Sequence, residues 1–388
     1  MVTSRHMKHE IVVFIGSLGR GGAEVHLSQV LPDLHRRGLK VKIFLLSSKG
    51  DLYEQLQKQG VPIVSPWFGK SIQHPLIKIL KLSINSLQTL CYLLFERPQI
   101  AHFFLPQTYL IAGFLSVLTR TPVRIMSRRS LNYYQHKYPP FIRTFECWLH
   151  GKMTALLGNS QKVVQQLICE EGADPKRTHL VYNGIDLAPV PEVKDMRTQL
   201  GLSRDSIVLA MVANLIPYKG HTDLINALAQ LDPAQPWEVL LIGNDSAHIQ
   251  ADLEQSARNA GIESRVHFLG KRDDVAAILQ CADIGLLTSH EEGFSNAILE
   301  AMASGLPMVV TDVGGNAEAV RNGENGYVVP PHAPAQLAEA LETLLHDPQL
   351  RERFGQKSLK RQQQLFTRKA CVDAYQEFYE KLLEMHKK

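Results

Sequence analysis

The chain has no Cys-x-x-Cys pair, no Asp-x-Asp, and no apolar run near the roughly 18 residues that a spanning helix needs. Its five cysteines, Cys91, Cys147, Cys169, Cys281 and Cys371, are scattered and odd in number. That argues for a reducing, cytoplasmic setting and against a zinc site. No signal-peptide pattern is visible, and Met1 to Met7 reads as an added leader with Met7 as the natural start. Neither a repeat of about 20–50 residues nor a low-complexity tract occurs. What remains is a chain of 388 residues, 45% hydrophobic and 21% charged. Such a composition describes an ordinary globular protein with room for about two or three domains.

Negative charge is scarce in the first half. Residues 1–187 carry 23 Lys+Arg against 11 Asp+Glu, whereas residues 188–388 carry 19 against 27. The basic half should face something anionic. No recognised nucleic-acid motif is present, so a lipid-phosphate surface fits better than nucleic acid. From Arg97 to Lys152 there are eight basic residues and one acidic residue, Glu146, interleaved with Tyr133, Tyr134, Tyr138, Phe141, Phe145 and Trp148. Phe141, Phe145, Trp148 and Leu149 share one helical face. That face either lies on a membrane surface or packs on its own sheet.

The most informative stretch runs from Leu286 to Gly326. An apolar strand, Ile284 to Leu287, leads through a polar turn into a helix starting at Ser295 or Asn296. Pro307 to Thr311 makes the next strand, giving one parallel α/β unit. Backbone N–H groups at Phe294, Ser295 and Asn296, beside Gly293, are placed to hold an anion at the helix start. Glu292 lies just before the helix and Glu300 one turn inside it. A carboxylate accepts hydrogen bonds from paired sugar hydroxyls, so a phosphate cradle between two such groups suits a sugar nucleotide. Helix electrostatics alone would also favour an acidic residue near the start. A capping box does not explain it, because N3 is Ile298 or Leu299.

Glu292 and Glu300, seven residues apart within EGFSNAILEAMASGLPMVVTDVGG, resemble the E-x7-E signature of family 4 retaining glycosyltransferases. The resemblance implies an α/β GT-B fold: two facing Rossmann-like domains with the active site in an interdomain cleft. It covers nearly the whole chain. Residues 1–187 would form the acceptor-binding domain and residues 188–369 the nucleotide-sugar domain. Leu187 to Val193 would link them, and a final helix over residues 370–388 would cross back to the first domain.

The family pattern then distributes roles. Glu300 would bind the ribose diol, and Glu292 a hydroxyl of the donor sugar. Lys219, at a strand-to-helix turn after Ile207 to Val212, matches the family's phosphate-binding Lys and supplies a point charge for a diphosphate. Relatives carry an Arg shortly before it; here Asn214 and Ile216 stand at the candidate places. Gly243, and Lys271 with Arg272, sit in loops that would frame the nucleotide base. Gly21 and Gly22 belong to a glycine-rich loop after Ile11 to Ile15 that would approach donor phosphates and acceptor. That loop reads G-x-x-G-x-G-G, and the next strand ends in Ser47-Ser48 rather than an acidic residue, so a dinucleotide fingerprint is a poor match. Where relatives place a cleft His, Arg128 stands, ready for donor phosphate or an acidic acceptor. His102, on the strand Ile100 to Phe104, is either a cleft residue or a satisfied core histidine.

The reading is a retaining hexosyltransferase for polysaccharide or lipopolysaccharide synthesis. It would use a nucleoside diphosphate sugar, UDP-sugar favoured, and no cofactor. With no Asp-x-Asp, a metal need not neutralise the diphosphate. The acceptor would be a glycan or a polyprenyl-diphosphate-linked glycan, with docking on the inner face of an anionic membrane. Two rivals are a sugar-nucleotide epimerase of related fold and a non-catalytic glycan- or nucleotide-binding protein.

Overall fold

A computed structural model describes residues 10–69, 74–186 and 196–386. The leader over Met1 to Met7 and the linker over Leu187 to Val193 lie outside the described residues. The chain forms two compact units. One reaches Asn183 and takes back Arg368 onward; the other runs from Gly184 to Thr367.

The first unit is built on seven parallel strands: β1 (Glu10–Ile15), β2 (Lys40–Leu45), β3 (Ile63–Val64), β4 (Ile100–Phe104), β5 (Val123–Arg128), β6 (Ala155–Gly158) and β7 (Thr178–Leu180). Their order is β3-β2-β1-β4-β5-β6-β7. Central strands are continuously apolar because both faces are covered. Ile11, Val13 and Ile15 enter one core with Leu27 and Leu31, while Val12 and Phe14 enter the other with Phe103 and Tyr109. The helix Arg368–Met385 adds Val372, Tyr375 and Tyr379 to the first of these cores. It is tied to the helix Gly22–Arg36 by its neighbour Arg37, whose Nη1 donates to Asp373 Oδ1 at 2.7 Å.

The second unit holds six parallel strands: β8 (Ile207–Val212), β9 (Trp237–Ile242), β10 (Val266–Gly270), β11 (Ile284–Leu287), β12 (Met308–Thr311) and β13 (Gly326–Val329). Their order is β10-β9-β8-β11-β12-β13, so the winding reverses between β8 and β11. In open parallel sheets the crevice at the carboxyl ends of two such strands takes the ligand. Here that crevice is bounded by the loop Ala213 to Gly220 after β8 and the loop Thr288 to Ser295 after β11. After the latter comes the helix Asn296–Ala303, made of strong helix formers and buried through Ile298, Leu299 and Met302. No described helix is long and apolar enough to cross a membrane.

Candidate active site

Lys219 and Glu292 meet because their two loops are locked together. Gly220 adopts φ +72°, and a Cβ there would stand 1.9 Å from the Thr288 carbonyl oxygen, so only glycine fits. Thr288 Oγ1 donates to the Gly220 carbonyl at 3.0 Å, and the His290 N–H donates to the Tyr218 carbonyl at 2.7 Å. With the loops so held, Lys219 Nζ donates to Glu292 Oε1 at 2.5 Å. Ser289 Oγ donates to the same oxygen at 2.8 Å. From the other side, Gly314 at φ +52° presses against the Glu292 carbonyl, which a Cβ would meet at 2.2 Å. The Gly315 N–H donates to the Gly293 carbonyl at 2.7 Å.

Among the described residues, no side chain caps the start of the helix Asn296–Ala303. Ser295 takes extended backbone at the N-cap, and its side chain makes no cap bond. Phe294 is buried against Phe366, their ring centroids 5.2 Å apart, which anchors the turn. Glu300 follows one turn beyond Asn296. Burial lifts its carboxyl from the usual range to about 7. Among the described residues its side chain has no hydrogen-bond or ion-pair partner to offset that burial. A carboxylate held this way gains from a ligand that donates hydrogen bonds.

The loops beside this pair are less committed. Asn214 is exposed, and its Oδ1 accepts from the Asn244 N–H at 3.1 Å. Gly243 packs on the β8 loop, where a Cβ would lie 2.0 Å from the Ala213 carbonyl oxygen, and its N–H donates to Gly270 at 3.0 Å. Lys271 is exposed. Arg272 is turned to Asp274 through bonds of 2.8 and 2.6 Å, so its guanidinium is engaged within its own loop. Sequence reading missed Ser289 and Thr288; the S-x-x-E spacing to Glu292 was the available signal for the former.

Two family models together span most of the chain. Residues 20–189 match the model described as Glycosyltransferase Family 4, and residues 192–361 match Glycosyl transferases group 1. The chain belongs to glycosyltransferase family 4. It is 35% identical over 232 residues to a D-inositol 3-phosphate glycosyltransferase of Corynebacterium efficiens, covering 56% of this chain and 54% of that protein. It is 30% identical over 206 residues to an N-acetyl-alpha-D-glucosaminyl L-malate synthase of Bacillus anthracis, covering 53% and 54%. The chain thus spans about half the length of these curated relatives. Among solved structures, Anabaena HepE in complex with UDP-glucose superposes with a TM-score of 0.82 at 22% identity, covering 96% of this chain and 99% of that one. Sucrose-phosphate synthase of Thermosynechococcus elongatus gives 0.80 at 20%, covering 97% and 100%. These likenesses establish the fold of this family 4 chain as α/β GT-B, with two Rossmann-like domains.

Two expectations for its first unit need correction. Arg128 is 4% exposed, and its guanidinium is engaged by buried carboxylates. Its Nη1 and Nη2 donate to both oxygens of Glu171 at 2.9 Å, and Nη2 also to Glu146 Oε1 at 2.8 Å. Burial works against the charge, but Tyr134 and the two carboxylates raise the guanidinium pKa and hold it protonated. Glu171 is likewise opposed by burial. Hydrogen bonds from His150 and Arg128 nevertheless bring it down to about 2. The second correction concerns His102. It is fully buried, with Nδ1 2.8 Å from Tyr379 Oη and Nε2 2.7 Å from Ser127 Oγ. Burial and then the charge of Arg129 push it down to about 3, so it is a neutral core histidine. Gly21 takes ordinary extended backbone at the start of the helix Gly22–Arg36, and the space where a Cβ would sit on Gly22 is open.

Proposed function

We propose that this chain is a retaining glycosyltransferase that moves a hexose-type sugar from a nucleoside diphosphate sugar, UDP-sugar favoured, to an acceptor hydroxyl. The observation that carries the reading is the Lys219–Glu292 pair at the reversal point of the second sheet, beside the helix that carries Glu300. The diphosphate would lie on the helix start and draw Lys219 away from Glu292. Freed, Glu292 would accept from a donor-sugar hydroxyl, and Glu300 from the ribose diol. In the reaction, the anomeric C–O bond to the diphosphate breaks, a C–O bond to the acceptor oxygen forms, and the acceptor's hydroxyl proton passes to the departing diphosphate. The charge gathering on the departing diphosphate falls on Lys219 and the helix N–H groups, without a metal at that place. The HepE structure solved with UDP-glucose supports a nucleotide-sugar donor, and the E-x7-E spacing supports retention. Incubation with UDP-, GDP- and ADP-sugars, with and without extracted lipid acceptors, tests it. Nucleotide release that requires an acceptor supports transfer; an epimerised donor without acceptor, or no turnover with any donor, overturns it.

The acceptor is proposed to be a glycan carried on a polyprenyl diphosphate, met at the inner face of an anionic membrane. Support comes from the basic first half and from a helix that exposes a row of leucines while amide side chains sit beside Leu93 on its buried side. In the helix Pro75–Phe95, Asn85 Nδ2 donates to the Leu46 carbonyl at 2.9 Å, and Gln88 Oε1 accepts from the Trp67 N–H at 2.7 Å. Leu76, Leu80, Leu87 and Leu94 share the opposite face and stand exposed, Leu76 at 69% and Leu87 at 54%. On the helix Pro140–His150, Leu149 is buried while Phe141 and Trp148 are 68% and 46% exposed. Lys78, Lys152 and Arg143 flank these apolar groups in sequence, the composition expected of a lipid-facing surface.

A further inference from the structure

Three side chains of types that can ligate a metal converge from three separate segments. Asp223 comes from the helix His221–Leu228, His290 from the loop after β11, and His332 from the loop after β13. One ligand atom from each lies within 4.8 Å of the other two. His290 Nε2 stands 2.7 Å and His332 Nδ1 3.6 Å from the same oxygen, Asp223 Oδ2. The two imidazole centroids are 3.7 Å apart with planes at 41°, so the rings converge without stacking flat.

We propose that Asp223, His290 and His332 form a binding site for a divalent transition-metal ion of the zinc class. Two neutral imidazole nitrogens and one carboxylate oxygen are a donor set that zinc takes, with a fourth position left for water. The scattered cysteines exclude a thiolate site and say nothing against this one. His332 is the most exposed of the three ligands. It adopts φ +57°, a left-handed conformation that histidine enters more often than most residues, and its side chain stays 66% exposed. The ion would tie together the three segments next to Lys219 and Glu292. The site is distinct from the diphosphate cradle, and ion binding stands or falls apart from the donor reading.

The test is titration of the full chain with zinc chloride by calorimetry, beside His332→Gly and Asp223→Asn. Wild type is expected to bind one zinc ion per chain in the micromolar range. Since loss of a ligand's supporting partner alone costs about 10–100-fold, each variant should lose at least about tenfold in affinity. His332→Gly suits the left-handed backbone, so its metal-free melting temperature should match or exceed wild type; lost binding then cannot be unfolding. No binding at concentrations up to roughly a hundred times the micromolar range, or equal affinity in wild type and both variants, overturns the proposal. The latter result would place the zinc on others of the 16 histidines.

Discussion

Lys219 Nζ lies 2.5 Å from Glu292 Oε1, across 73 residues of chain, and close backbone contacts at Gly220 and Gly314 hold the two loops that carry them. The pair holds a cation ready where a diphosphate would arrive. Replacing Lys219 by Ala should lower kcat by roughly 10²–10³-fold, the loss typical of removing one preorganised charge stabiliser. Steady-state nucleotide release measures this. A drop in KM-dependent binding with kcat unchanged would show that Lys219 merely holds the donor.

Glu300 carries a pH signature. Burial raises its carboxyl from 4.5 to about 7, so near pH 6 it is mostly protonated. A ribose diol donates to the ionised form, and binding therefore expels a proton. Donor affinity should rise from pH 6 to 8 and level off above. Glu300→Gln should flatten that slope, and Glu300→Ala should cost about 1.5–3 kcal/mol of donor binding. In the free protein the sign is opposite. The folded state holds this proton more tightly than the unfolded chain, so its contribution to stability falls as pH rises from 4.5 through about 7. Calorimetry across pH with both variants decides; a wild-type slope surviving in Glu300→Gln removes Glu300 from the donor site.

Arg128→Ala should act on stability. Removing it strands Glu146 and Glu171 as buried charges, a loss of about 3–5 kcal/mol. The lowered Glu171 carboxyl adds an acid dependence: its stabilising contribution is present above the unfolded value of 4.5 and is lost as pH falls toward about 2. Denaturant melts of the variant check the first claim. A variant that melts like wild type but no longer turns over would return Arg128 to the catalytic machinery.

The contrast between Glu292 and Arg128 shows what a sequence carries. Glu292 and Glu300 sit in one strand-loop-helix unit, where apolar periodicity and local spacing determine their places. Arg128 finds its partners 18 and 43 residues away, and no local pattern says which carboxylates a fold will bring to a buried guanidinium. The strands were legible because parallel sheets demand continuous apolar runs. The outward leucines of the helix Pro75–Phe95 were not, since an apolar helix is ordinarily read as facing the core, and here Asn85 and Gln88 share the inward side with Leu93. His102 could be read as a satisfied core histidine from its apolar neighbours, but not its partner Tyr379, which lies 277 residues away.

Turnover should survive EDTA. Lys219 supplies the positive charge at the proposed diphosphate site, and the chain has no Asp-x-Asp to hold an ion there. An ion on Asp223, His290 and His332 lies outside that chemistry. Complete loss of activity in chelator, restored by Mg²⁺ or Mn²⁺, would assign the diphosphate charge to a metal after all.

The last prediction concerns the lipid surface, where two forces give separable readouts. Each Lys or Arg near an anionic bilayer contributes about 1 kcal/mol, and this part fades with salt because surface charges are screened beyond a Debye length. The exposed leucines of the helix Pro75–Phe95 add an apolar part that salt does not weaken. Wild type should therefore co-sediment with anionic vesicles strongly at low ionic strength and weakly at high. The double change Leu80→Asp and Leu87→Asp should abolish the salt-resistant fraction. Both leucines stand outside the core, so the melting temperature should stay near wild type and the loss can be read as lost docking. If wild type ignores anionic vesicles even at low salt, and glycosylates a water-soluble acceptor as well as a lipid-linked one, the membrane reading is wrong.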